Sequence, residues 1–180
     1  MGTRRQAREL AMQALFYMDI RKDASEEMLE YFCGCFCPSK KSRPFFIKLV
    51  NGVLGAKDQI DSLVERFSQN WKINRMSCVD RNVMRIAVYE MIYCHDIPPK
   101  VSINEAIDIG KKYGTGESGA FINGILDSIR IAMDEKQADV ELEIPVQLQS
   151  ANDAFSGDNE ASGAPQAAKP GAESESASNT

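Results

Sequence analysis

Residues 101–129, VSINEAIDIGKKYGTGESGAFINGILDSI, read as helix, glycine-rich loop, helix. Ser102 with Glu105 has the spacing of a capping box: the serine oxygen accepts from a first-turn N–H and the glutamate reaches back. The helix is therefore predicted to begin at Ser102, with Pro98 and Pro99 barring an earlier start. Ile103, Ala106, Ile107, Gly110 and Tyr113 share one apolar or small-residue face. Gly114, Gly116 and Gly119 interrupt the chain, and Ser118 is placed to cap a second helix that buries Ile122, Ile125, Leu126 and Ile129. Two amphipathic helices joined by a tight loop make a bundle hairpin. The loop gathers Lys111, Lys112, Tyr113 and Phe121 at one rim, beside backbone N–H groups still in need of partners.

Upstream of this hairpin lies another serine start, Ser77-Cys-Val-Asp80. The helix it opens, through Val83, Ile86, Ala87, Val88, Met91 and Ile92, is apolar nearly all round and is expected to be the central buried element. His95, next to Asp96 at its end, reads as a helix-terminus residue rather than a catalyst. Before it, Phe46 to Phe67 keeps helical spacing behind Pro44 and predicts one long helix. Gly52 and Gly55 within it mark close packing rather than a break. Trp71 falls in the following connection, where its ring suits either the core or RNA; the core is the expectation. A shorter helix is expected from Ser25 to near Gly34.

The first helix is expected to open with a capping box at Thr3 and Gln6 and to run to about Asp19. Arg4, Arg5 and Arg8 in its opening turns are informative. Cations there oppose the helix dipole at a cost of about 0.3–1 kcal/mol each when exposed, so helix stability does not explain them. A phosphate partner does, through guanidinium forks and first-turn N–H groups. The alternative is solvated arginines paired with local acids such as Glu9.

Charge is unevenly spread over the 180 residues. The formal net charge is −5, but ten acidic and two lysine side chains follow from Asp134 onward, leaving 19 basic and 16 acidic groups in residues 1–133, a net of +3. A mildly basic folded part is compatible with nucleic acid bound through a local patch. Residues 1–137 are thus expected to form one helical domain. Residues 138–180, with only a weak alternation over 138–148 and then an Ala, Ser, Gly and Glu-rich run, are expected to be a disordered acidic tail. No apolar run reaches membrane-spanning length, and the five cysteines fit a reducing cytoplasm better than a disulfide framework. Cys33, Cys35 and Cys37 cannot converge on a metal from one helix, because alternate residues point about 200° apart. Gly114 to Gly119 has the spacing of a dinucleotide-binding loop but follows no strand. Without a nucleophile elbow, a Walker loop or zinc spacing, the inventory favours binding over catalysis, with no cofactor.

Four segments, RRQARELAMQALF (4–16), DRNVMRIAVYEM (80–91), SINEA (102–106) and FINGILD (121–127), resemble the NusB family of bacterial transcription antitermination factors, over about residues 4–130. The resemblance implies an all-α fold of two roughly perpendicular three-helix bundles. It implies a heterodimer with the small-subunit ribosomal protein NusE that binds the boxA element of ribosomal RNA leader transcripts, alongside other Nus factors and RNA polymerase. Relatives include monomers and homodimers. Carried over by position, the RNA contacts fall on Arg4, Arg5, Arg8, Lys111, Tyr113, Glu117 and Phe121, and the partner-protein surface on Phe16 and Asp80. Ala120 departs from the family, whose members often have a longer polar side chain there. Two other readings stand beside this one: an accessory domain for ribosomal RNA modification, and a helical scaffold that binds only protein.

Overall fold

The computed structural model describes residues 2–36, 38–69 and 71–136, and every regular element among them is helical. Seven α-helices follow in order: α1 (Thr3–Arg21), α2 (Glu26–Phe36), α3 (Arg43–Gly55), α4 (Lys57–Phe67), α5 (Cys78–Tyr93), α6 (Pro99–Tyr113) and α7 (Ser118–Lys136), with a 3-10 turn at Ile73–Arg75. Cys37 and the segment 138–180, with its expected alternation and disorder, lie outside the described residues.

α5 is the hub. It packs against α1, α3, α4, α6 and α7, and residues Asn82 to Met91 are all buried. Ser77 caps it as expected, its hydroxyl oxygen accepting from the Asp80 N–H at 3.0 Å. α1, α2 and α3 form one group around α1. α5, α6 and α7 form a second, mutually packed trio, and α4 joins it through α5 and α7. Phe46, Leu49, Ile60, Met84, Ile122, Leu126 and Ile129 are fully buried, each worth about 1.5–3 kcal/mol relative to exposure.

Three expectations from the sequence are corrected. The stretch behind Pro44 is two helices, because Gly55 ends α3 and Ala56 leaves helical geometry at φ −108°, ψ 15°. Gly52 does mark close packing: a Cβ there would sit 2.0 Å from Cζ of Tyr89. α1 starts from Gly2 with no side-chain cap, so the Thr3 box does not form. α6 starts three residues before Ser102, with Pro98 as N-cap and Pro99 as first helical residue. Proline suits that position because its missing N–H would go unpaired there and its φ is already helical. Ser102 is therefore inside the helix, 2% exposed, and its hydroxyl turns to the core instead of the helix end.

Candidate nucleic-acid interface

The three arginines of α1 part ways. Arg8 shares the buried face of Ala7, Ala11 and Leu15 and is 5% exposed. Its Nε and Nη2 donate to the two oxygens of Glu90 at 2.7 and 2.9 Å, and the Ser102 hydroxyl donates to Glu90 Oε2 at 2.6 Å. Glu105 lies 3.6 Å from Arg8 Nη1. This fork-on-fork arrangement satisfies a carboxylate that is itself fully buried. Arg8 joins α1 to α5 and α6, and its burial on Glu90 leaves it little surface to offer RNA. Arg4 remains exposed, with Asp96 at 2.8 Å and its guanidinium 5.5 Å above the Phe45 ring. Arg5 donates to Glu105 at 3.0 Å and also bonds Asp108. Those hydrogen bonds, Glu105 first, hold its guanidinium above the ordinary arginine range.

At the other end of α6 stand the hairpin residues. Lys111 is exposed, and its aliphatic stem lies across Gly119, where a Cβ would meet Lys111 Cε at 2.9 Å. Gly110 gives the same close approach to Ile122, 2.3 Å from where its Cβ would be. Tyr113 is half-buried and tied to α1: its hydroxyl donates to Glu9 at 3.0 Å and lies 3.4 Å from Gln13 Nε2. Lys112 also reaches Glu9, at 2.8 Å, and sits 4.8 Å over the Tyr113 ring. Glu117 is exposed in the loop. Phe121 is half-buried and meets Trp71 edge to face, with ring centroids 6.1 Å apart.

α6 unites the two groups. Val101, Asn104, Asp108, Lys111 and Lys112 form its exposed stripe, at spacings that keep them on one side of a helix. Arg5 grips that side from α1, and the Lys111 stem crosses to α7. Arg4, Arg5, Lys111, Tyr113 and Phe121 thus line elements bordering a single helix, while Arg8 lies beneath them. The sequence reading missed two things. Trp71 is 54% exposed, not core; its polar neighbours Lys72, Asn74 and Arg75 were the available signal. The carboxylates already paired with the cations, Asp96, Glu105 and Asp108, lie about 90–100 residues from them in sequence and leave no local pattern.

Of the two residues expected to meet a partner protein, Phe16 is 38% exposed beside Ile20 at 60%, one turn on. Asp80 is 7% exposed, and its Oδ1 has no hydrogen-bond partner among the described residues. Below it, Asp19 collects Arg81 at 2.8 Å, Asn82 at 3.0 Å and Arg85 at 3.1 Å, and Arg85 forks onto Asp61 at 2.7 and 2.8 Å. Burial pushes the Asp19 carboxyl up. Hydrogen bonds from Arg81 and Asn82 and the charges of Arg85 and Arg81 outweigh it, so the pKa ends below the usual aspartate value. Among the described residues no cluster of His, Cys, Asp or Glu has the makings of a metal site, and no helix is long and apolar enough to cross a membrane.

Architecture and surface together define a class: an all-helical binding domain built on a buried central helix, with cations and rings along one hairpin. The NusB family model matches residues 5–130, and the chain belongs to that family. It is 56% identical over 137 residues to the transcription antitermination protein NusB of Desulfatibacillum aliphaticivorans, spanning 76% of this chain and 96% of that one. It is 43% identical over 127 residues to its namesake in Bacillus subtilis (strain 168), spanning 71% and 94%. Among solved structures it is similar to T. maritima NusB, with a TM-score of 0.65 at 42% identity over 70% of this chain and 89% of that one. It is also similar to a chain from the crystal structure of antitermination factors NusB and NusE in complex with dsRNA, with a TM-score of 0.66 at 28% identity over 73% and 98%.

Proposed function

We propose that this protein is a transcription antitermination factor that binds the boxA element of ribosomal RNA leader transcripts together with the ribosomal protein NusE. It acts without catalysis, in the cytoplasm, within a larger assembly of Nus factors and RNA polymerase. The observation that carries the RNA reading is the α6 border, where Arg4, Arg5 and Lys111 accompany Tyr113 and Phe121. Single-stranded RNA is held by basic groups on its phosphates and by stacking of its unpaired bases on rings. Glu117 stands in the same loop as a candidate acceptor for base or ribose donors.

The partner-protein surface rests on Phe16, Ile20 and Asp80. Asp80 keeps a small exposed edge at the start of α5, where a cationic group of the partner would add a favourable charge, while its Oδ1 is buried without a hydrogen-bond partner among the described residues. The test is mobility of labelled boxA RNA with this chain, with NusE, and with both. The pair is expected to retain boxA RNA more tightly than either protein alone and more tightly than a scrambled RNA. Asp80→Lys is expected to weaken NusE binding. Equal retention of boxA and scrambled RNA by the pair would overturn the RNA reading and leave a protein-only scaffold.

A further inference from the structure

We propose that Trp71 is a base-stacking ring of the RNA surface, paired with Phe121 so that an unpaired base lies against the indole. The proposal rests on the RNA reading above and adds a residue from outside the helical hairpin to that site.

Trp71 is 54% exposed although it carries the largest apolar side chain available, and most tryptophans are buried for that reason. Trp71 is tied back to the end of α4. Its N–H donates to Ser68 O at 3.2 Å, and the 5%-exposed Ser68 places its hydroxyl 2.6 Å from Trp71 O and 3.0 Å from Glu65 O. The Glu65 carboxylate accepts from the Ile73 N–H at 2.9 Å and from Lys72 at 3.2 Å. These bonds pull that carboxyl below the usual glutamate range, the Ile73 N–H first and then Lys72. Bonds to Ser68 and Glu65 thus anchor Trp71, Lys72 and Ile73 to the end of α4.

The contact with Phe121 is edge to face, at an interplanar angle of 65°. Phe121 steadies the indole without lying flat on it, which leaves room for a third flat ring. The surroundings select the kind of ring. Lys72, Asn74 and Arg75, within four positions of Trp71 in the chain, are exposed, and Lys111 reaches over Gly119, two residues before Phe121. An exposed indole in a stretch with exposed basic side chains suits a nucleobase with its phosphates.

Trp71 is the single tryptophan of the chain, so intrinsic emission reports on this position alone. Titration of the full chain with a boxA oligoribonucleotide is expected to quench that emission. Titration with NusE alone is expected to leave it unchanged. Trp71→Ala is expected to weaken RNA binding about tenfold with helical circular dichroism intact, and Trp71→Phe to retain most of the affinity. Replacing boxA nucleotides one at a time by abasic ones should reveal one position at which Trp71→Ala costs nothing further. Undiminished affinity of Trp71→Ala, or emission that saturating RNA leaves unmoved, would overturn the proposal while leaving the RNA reading intact. Emission that moves with NusE alone would overturn it in favour of a protein contact. Failure of the wild-type chain and NusE to hold boxA RNA would overturn the underlying reading as well.

Discussion

Arg5 and Arg8 stand less than one helical turn apart in α1, carry the same group and reach the same glutamate, Glu105, yet one is on the surface and the other in the core. Arg8 is enclosed by α5 and α6 and forks onto the buried Glu90, with Ser102 completing the carboxylate's hydrogen bonds. Arg5 lies over the outer side of α6, where Glu105 and the half-exposed Asp108 hold it in contact with water. An arginine run is thus not one functional unit. Helical periodicity divides it into a residue that aligns three helices and residues left on the surface.

The inner arrangement is where the largest effect is expected. Glu90→Ala leaves the Arg8 guanidinium buried without its fork, which costs about 3–5 kcal/mol. Against a total stability of about 5–15 kcal/mol that is a severe loss, read as a lower urea midpoint. Retention of the wild-type midpoint would show that Arg8 is not sealed in. Glu90→Leu with Arg8→Met, which removes both charges and refills the space, is expected to recover much of that loss, and failure to do so would point to a need for the charges themselves.

A second buried cluster gives a smaller and pH-dependent effect. Asp19 has a folded pKa below its unfolded value of about 3.9. Its contribution is therefore present above about pH 4 and is lost as pH falls through the lower folded value. Asp19→Asn is expected to cost about 1–3 kcal/mol at neutral pH by weakening the bonds from Arg81 and Arg85. It is also expected to flatten the acid limb of the stability profile; an acid limb identical to wild type would remove Asp19 from this account. Smallest of all, Asp96→Ala frees the exposed Arg4. Its effect on stability is expected to stay within about 0.5 kcal/mol, while affinity for RNA of any sequence rises. A fall in RNA affinity would mean that Asp96 orients Arg4 rather than competing for it.

The sequence was legible where its signals were local. Ser77 caps α5, α5 is the buried hub, and Ile122, Ile125, Leu126 and Ile129 line the inner face of α7, as their spacing required. What failed was decided by distant residues or by competing local rules. Ser102 and Glu105 have capping-box spacing, but the Pro98–Pro99 step starts the helix sooner, and both side chains turn to other partners: Glu105 to Arg5 of α1 and Ser102 to the Glu90 that Arg8 holds. The exposure of Trp71 depends on Ser68 and Glu65 folding back onto its own loop. The fate of Arg8 depends on a glutamate 82 positions away, so α1 alone gives no means of separating it from Arg4 and Arg5. Gly114, Gly116 and Gly119 are expected to break the chain, yet no described glycine has positive φ, and Gly119 lies inside α7, where it admits the Lys111 stem; the close packing expected at Gly52 is present.

The outer arginines Arg4 and Arg5, and not the inner Arg8, are expected to meet the RNA backbone. The salt dependence of boxA binding by the complex with NusE tests it most directly, because each phosphate contact contributes about 0.7 to the slope of log K against log salt on a single strand. The double variant Arg4→Ala with Arg5→Ala is expected to weaken binding and lower that slope by about 1.4, with its helical circular dichroism unchanged. A slope equal to wild type in the folded double variant would contradict the account.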